Sequence, residues 1–186
     1  MKNIRSNIIA AGILCLSLGM TSCTKGFLDV ESKTESTTGN FYKTEQDAYR
    51  ALLGCYDGYR RATCGSAVNF LVSAEVMGYE CFGGSGASDG NGMRVTDRFD
   101  LSEMPSSTGS SWSGYYAGIY RCNELITREN SIQWNETGSM HTQYMAECHA
   151  IRAFLYFDVV RQFGNIPLLT KPTDENIPQA DPADVY

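Results

Sequence analysis

Long apolar runs, basic surface and closely spaced cysteine pairs are all scarce in these 186 residues, and each shortage removes a class of function. The main apolar stretch, residues 8–20, falls short of the ~20 residues that a bilayer-spanning helix needs, and Ser17 and Gly19 interrupt it. Lys and Arg number 15 against 21 Asp and Glu, a formal charge of −6. That balance leaves no positive face for a phosphate backbone, so nucleic-acid partners are excluded and phosphate-binding functions disfavoured. The seven cysteines contain no Cys-x-x-Cys pair, and His149 beside Cys148 is mere adjacency. Neither a metal site nor a cofactor is therefore expected.

What is present begins with a secretion signal. Lys2 and Arg5 precede the apolar stretch, and the small polar residues Thr21 and Ser22 lead directly into Cys23. A cysteine in that setting is where lipoprotein signal peptidase cuts, so residues 1–22 are expected to be removed and Cys23 to be acylated. The protein would then be anchored to a membrane rather than spanning it. Cys15 is the poorer candidate because bulky Leu14 precedes it. Loss of Lys2 and Arg5 leaves 13 basic residues and a formal charge of −8. The segment 24–40, with Glu31-Ser32-Lys33-Thr34-Glu35-Ser36-Thr37-Thr38, is polar and reads as a flexible tether, so residues 23–40 form a lipidated linker. Five cysteines then remain, an odd number in an oxidising compartment. One bridge, between Cys64 and Cys81, is possible; buried small thiols are the default for the others.

About 160 residues are left after cleavage, enough for one domain. Thr44 followed by Asp47 makes a capping-box start, and Ala48, Ala51, Leu52, Cys55, Tyr56 and Tyr59 recur at helical spacing over about four turns. A second helix is predicted from Ser111, with Trp112, Tyr116, Ile119, Tyr120 and Asn123 on one face and Tyr115 and Cys122 widening it. The third runs from Ser139 to Phe163 without Gly or Pro, and Met140, Tyr144, Cys148, Ile151, Leu155, Val159 and Gln162 step close to 3.6 residues. Gly164 ends it, and Asn165-Ile166-Pro167-Leu168-Leu169 should leave in an extended conformation, because Pro167 disfavours helix at Ile166. Ala150 and Phe154 match the A-x-x-x-F part of the tetratricopeptide pattern, though its Trp-Leu-Gly-Tyr portion is missing. The expected fold is all-α, with tetratricopeptide-like helix pairs and long irregular loops. About fifty residues of little periodicity, including a Gly-rich run at 83–92, separate the first two long helices. Asp181-Pro182-Ala183-Asp184-Val185-Tyr186 reads as a cap and the opening of another helix, so a truncated reading frame is expected.

The chain after the signal resembles the SusD/RagB family of outer-membrane nutrient-binding lipoproteins. The resemblance is carried by Cys23 with Phe27-Leu28-Asp29, by Phe41-Tyr42-Lys43-Thr44-Glu45-Gln46-Asp47-Ala48 with Tyr56 downstream, and by Tyr116 to Ile126 with its Arg121-Cys122-Asn123 step. Its most specific part is the run from Glu147 through Arg152-Ala153-Phe154-Leu155-Tyr156 to Gly164-Asn165-Ile166-Pro167-Leu168-Leu169. The resemblance implies that residues 41–186 are the incomplete N-terminal part of a longer SusD-like helical domain. It further implies a cell-surface protein that captures oligosaccharides, does no chemistry, and passes them to a TonB-dependent (SusC-type) transporter. The location implied is the outer membrane, lipid-anchored and facing the exterior. Thr24-Lys25-Gly26 lacks the acidic run expected of a surface-export signal. Residues 78–100 lack the tryptophans on which the family's starch-binding member stacks its sugar.

Sugar recognition needs flat apolar faces for ring C–H surfaces and planar polar groups for paired hydroxyls. The long loop offers Tyr79, Phe82, Asp89, Asn91 and Arg94 as ligand-binding candidates. The alternative is that Tyr79 and Phe82 pin the loop to the core. Trp112 lies on an apolar helix face and reads as core, whereas Trp134, in a polar connection, either stacks a ligand or covers a helix end. Asp158 and Arg161, three apart, should form an ordinary helix-surface ion pair. Gly86-x-Ser88-x-Gly90 matches a hydrolase nucleophile elbow only formally, since no strand precedes it and His141 and His149 have no reason to approach Ser88. Asp89-Gly90-Asn91-Gly92 opens like a calcium loop, but Met93 and Arg94 stand where an oxygen ligand and glycine are needed. A glycan-active enzyme would require a close carboxylate pair, and no such pair is evident. The competing reading is a structural or adhesive tetratricopeptide-like lipoprotein without a glycan site.

Overall fold

A computed structural model describes residues 41–64, 70–84, 86, 91–100, 102, 104–135 and 138–186. The signal segment, Cys23, the tether and Asp89 lie outside these residues. The described residues belong to one compact unit, Thr38–Tyr186.

Helix α1, Glu45–Cys64, starts with the capping box that Thr44 and Asp47 make. The Asp47 amide donates to Thr44 Oγ1 at 3.2 Å, and Asp47 Oδ2 accepts from the amides of Thr44 at 3.0 Å and Lys43 at 3.2 Å. Burial pushes the Asp47 carboxyl up, but these hydrogen bonds outweigh it and hold the group below its ordinary range. The helix is longer than the predicted four turns. It buries Ala48, Leu52, Cys55, Gly58 and Ala62 along one stripe, while Tyr56, expected on that face, turns outward to donate to Glu147 at 3.0 Å.

Two short helices occupy the stretch expected to be irregular: α2, Phe70–Met77, and α3, Asn91–Asp97. Val76, Val95 and Thr96 are buried. Gln162 donates to Ser73 at 3.3 Å, and the Phe70 amide donates to the Tyr115 hydroxyl at 3.4 Å, tying α2 to the long helices.

Helix α4, Met104–Thr127, begins seven residues before the predicted Ser111. Pro105 falls in the first turn, where its missing N–H removes no helical bond, although the Ser- and Gly-rich start has weak helical propensity. Its deepest residues are Ser111, Tyr115, Ile119, Cys122 and Leu125; Tyr120, placed on the core face by periodicity, is 54% exposed. The buried stripe is rotated because α1 crosses α4 at Gly58 and Gly118, where a Cβ on Gly58 would stand 3.0 Å from the Gly118 Cα.

After a 3₁₀ turn, Glu129–Ser131, helix α5 runs over Ser139–Phe163, as the periodicity predicts. It buries Met145, Cys148, Ile151, Leu155, Tyr156, Val159 and Val160 against α1 and α4, each large apolar side chain contributing ~1.5–3 kcal/mol. Gly164, at φ +74°, ends it with an N–H bonded to the Val160 carbonyl at 2.9 Å. The extended exit becomes strand β1, Ile166–Pro167, paired antiparallel with β2, Gln179–Ala180. Asp181 then caps a last turn, α6, Pro182–Val185, by accepting from the Ala183 amide at 2.9 Å. The fold of the described residues is thus all-α apart from this two-residue ladder.

Two further expectations are corrected. Cys64 and Cys81 are free, exposed thiols rather than a disulfide. Arg161 does not pair with Asp158 but lies over the rings of Phe70 and Phe157, 4.0 and 4.4 Å from their centroids, while Asp158 accepts from Tyr115 at 3.4 Å. A guanidinium between two aromatic faces gains packing and cation–π attraction that an exposed helical ion pair does not supply.

Candidate ligand surface

The motif residues of α4 and α5 turn out to brace the exit segment. Asn123, 1% exposed, donates to the Leu169 carbonyl at 2.8 Å and accepts from Arg152 at 2.7 Å, and Arg152 also reaches the Thr170 carbonyl at 3.2 Å. Tyr156 donates to the Leu169 carbonyl at 2.8 Å and accepts from its amide at 2.7 Å; Tyr116 donates to the Pro167 carbonyl at 2.8 Å. Arg121 binds the Gly54 carbonyl and Asp57, both at 3.0 Å, bridging α4 to α1. At Leu169 and Thr170, beyond β1, these side chains supply partners that no strand or helix provides. Both tryptophans are likewise structural. Trp112 packs on Tyr116 and Phe163, and Trp134 stacks on His141 at 4.4 Å while its Nε1 donates to the Glu129 carbonyl at 3.1 Å.

The surface left for a ligand lies at the ends of α2 and α3, and both helices end in the same way. The Tyr79 amide bonds to the Val76 carbonyl and the Glu80 amide to the Glu75 carbonyl, at 3.3 and 3.0 Å. The Phe99 amide bonds to Thr96 and the Asp100 amide to Val95, at 3.1 and 3.0 Å. These are two Schellman caps, whose left-handed position is normally glycine. Here Tyr79, at φ +61°, and Phe99, at φ +52°, occupy it. Each bulky residue in that region costs ~1–2 kcal/mol, a substantial sum against a total stability of ~5–15 kcal/mol. The strain sets the two rings beside each other, centroids 6.3 Å apart and tilted by 38°. Tyr79 is 80% exposed and Phe99 40%.

Phe82 is 93% exposed. Its neighbour Gly83 is buried against α3, where a Cβ would overlap the Met93 carbonyl oxygen, so the chain is held while the Phe82 ring is directed to solvent. Neither Tyr79 nor Phe82 therefore pins the loop; Val76, Val95 and Gly83 do. Arg94 sits half-buried on α3 and Asn91 is its first residue, so four of the five predicted ligand residues, Tyr79, Phe82, Asn91 and Arg94, fall on these two helices and their exits. Phe99 was not foreseen. An aromatic residue within the polar Asp97-Arg98-Phe99-Asp100 stretch was the available signal.

A second concavity, a groove of about 750 Å³, runs between α5 and the C-terminal turn, with Ala150, Phe154, Phe157 and Tyr186 in its walls. It is apolar, and the Ala150 and Phe154 of the tetratricopeptide pattern face it rather than the core.

A family model described as starch-binding and associating with the outer membrane matches residues 86–185, and the chain belongs to this SusD-like family. A SusD-like protein of Formosa agariphila is 28% identical over 92% of this chain and 32% of its own length. A second SusD-like protein of that organism is 24% identical over 78% of this chain and 28% of its own length. The crystal structure of a SusD homolog from Bacteroides thetaiotaomicron superposes with a TM-score of 0.59 at 27% identity, covering 84% of this chain and 30% of that one. The chain spans about a third of the length of the relatives it matches. No helix among the described residues is long and apolar enough to cross a membrane.

Proposed function

We propose that the chain captures oligosaccharides on the aromatic surface of Tyr79, Phe82 and Phe99 and delivers them to a TonB-dependent, SusC-type transporter. Cys23 carries the lipid that tethers it to the outer membrane, facing the exterior, through the linker at 23–40. The protein binds and does not catalyse.

The observation that supports this reading is the pair of left-handed aromatic caps. Backbone strain that serves no packing purpose concentrates at functional sites, and two exposed, fixed aromatic faces suit the C–H surface of a sugar ring. Arg94, on α3, is a planar donor carried by the same helix that Phe99 caps. Membership of a family described as starch-binding and outer-membrane-associated points the same way. The apolar groove along α5 favours the second reading, a scaffold or adhesin that meets other proteins through Phe154 and Phe157.

Pull-down of the tagged protein from detergent-solubilised outer membranes, with mass spectrometry, separates the two. A stoichiometric TonB-dependent transporter is the expected partner. Its absence from intact protein acylated at Cys23 would remove the transport role and leave the scaffold.

A further inference from the structure

Cys55 of α1, Cys122 of α4 and Cys148 of α5 meet at the centre of the helical core. All three are fully buried, their sulfurs lie within 4.8 Å of one another, and the Cys55 and Cys148 sulfurs are 4.0 Å apart. Cys148 also leans on the Cys122 carbonyl, 3.6 Å away. No short-range motif announces the cluster, since its outer members are 93 residues apart.

From this arrangement we infer a three-coordinate site for a soft, thiophilic metal ion of the Cu(I) type, independent of the glycan reading. The argument is geometric. Two of the sulfurs are 4.0 Å apart and all three lie within 4.8 Å of one another, so a point equidistant from them is ~2.3–2.6 Å from each, close to the ~2.3 Å of a metal–thiolate bond. Three thiolates select soft ions, whereas structural zinc takes four ligands in a tetrahedron. No other His, Asp or Glu among the described residues joins the group. Binding needs no redox step: one Cu(I) and three thiols form a Cu(S)₃ centre and release up to three protons to solvent. Because the three thiols are fully buried, the ion enters when α1 opens or during folding, and holding it locks the three helices together.

The test is titration of the reduced protein with Cu(I) against a colorimetric Cu(I) chelator, with X-ray absorption on the loaded sample. The expected result is one ion per chain with sulfur-only coordination by three ligands. A variant with Cys15, Cys23, Cys64 and Cys81 all changed to Ser keeps that affinity and gains thermal stability on loading. Cys122→Ala and Cys148→Ala each weaken binding ~100-fold or more, beyond the 10–100-fold effect of losing an outer-shell partner. The inference is overturned if the four-serine variant loses the ion, if folded Cys122→Ala binds as tightly as the parent, or if copper merely drives Cys55 and Cys148 into a disulfide.

Discussion

Gly58 of α1 faces Gly118 of α4 so closely that a Cβ on Gly58 would lie 3.0 Å from the Gly118 Cα, and a Cβ on Gly118 would lie 2.9 Å from Leu155 Cδ1. The three long helices therefore converge on two glycines. Gly54, one turn earlier on α1, has nothing within 4 Å of its would-be Cβ. The two α1 glycines should respond oppositely to alanine. Gly54→Ala is expected to stabilise by about 1 kcal/mol through helix propensity. At Gly58 the same gain is outweighed by overpacking of ~1–3 kcal/mol against backbone that cannot swing aside. Urea denaturation of both variants checks the reversal of sign.

The exit segment depends on Asn123. Asn123→Ala removes one of the two donors to the Leu169 carbonyl and one of the two acceptors for Arg152, two hydrogen bonds that together are worth ~1–3 kcal/mol. Tyr156→Phe is a narrower probe, because it deletes the acceptor for the Leu169 amide. Hydrogen exchange at Leu169 should accelerate in Tyr156→Phe while exchange within α1 stays unchanged.

Asp57 contributes a pH dependence that one substitution isolates. Hydrogen bonds from Arg121, then Arg60 and Arg61, hold its carboxyl at about 2, below the ordinary 3.8. A folded pKa depressed in this way contributes stability that is complete above pH ~4 and is lost as pH falls through ~2. The gap in Tm between the parent and Asp57→Asn is expected to be flat above pH 4 and to close between pH 4 and 2. Added salt narrows the flat part, since the pair lies at the surface.

How much of this could be read in advance follows from the kind of signal each feature leaves. Helix α5 was legible because 25 residues without Gly or Pro keep one period, and Thr44 with Asp47 marked α1. The start of α4 was not, because Pro105 and its Ser- and Gly-rich neighbours have poor helix propensity. The faces of α1 and α4 were misjudged at Tyr56 and Tyr120 because close approach through Gly58 and Gly118, not hydrophobicity, decides which side turns inward. Tyr79 and Phe82 were identifiable as aromatics in a polar loop, but their setting was hidden. Nothing about a tyrosine or phenylalanine announces a positive φ, and Phe99 escaped notice for that reason. The cysteine cluster depends wholly on contacts between distant segments.

Strain at Tyr79 and Phe99 leads to a trade-off. Glycine at either position relieves the left-handed backbone, so Tyr79→Gly and Phe99→Gly are each expected to stabilise by about 1 kcal/mol while weakening oligosaccharide binding. Paired Tm and binding measurements should move in opposite directions. A variant that loses both would mean that the rings support the fold.

The most direct measurement compares the parent with the triple variant Tyr79→Ala, Phe82→Ala, Phe99→Ala on an array of soluble oligosaccharides that includes α-glucans, after circular dichroism has established that both are folded. The account predicts that the parent retains at least one oligosaccharide class and that the triple variant retains none. Equal binding by the two proteins would contradict it and place the capture surface elsewhere.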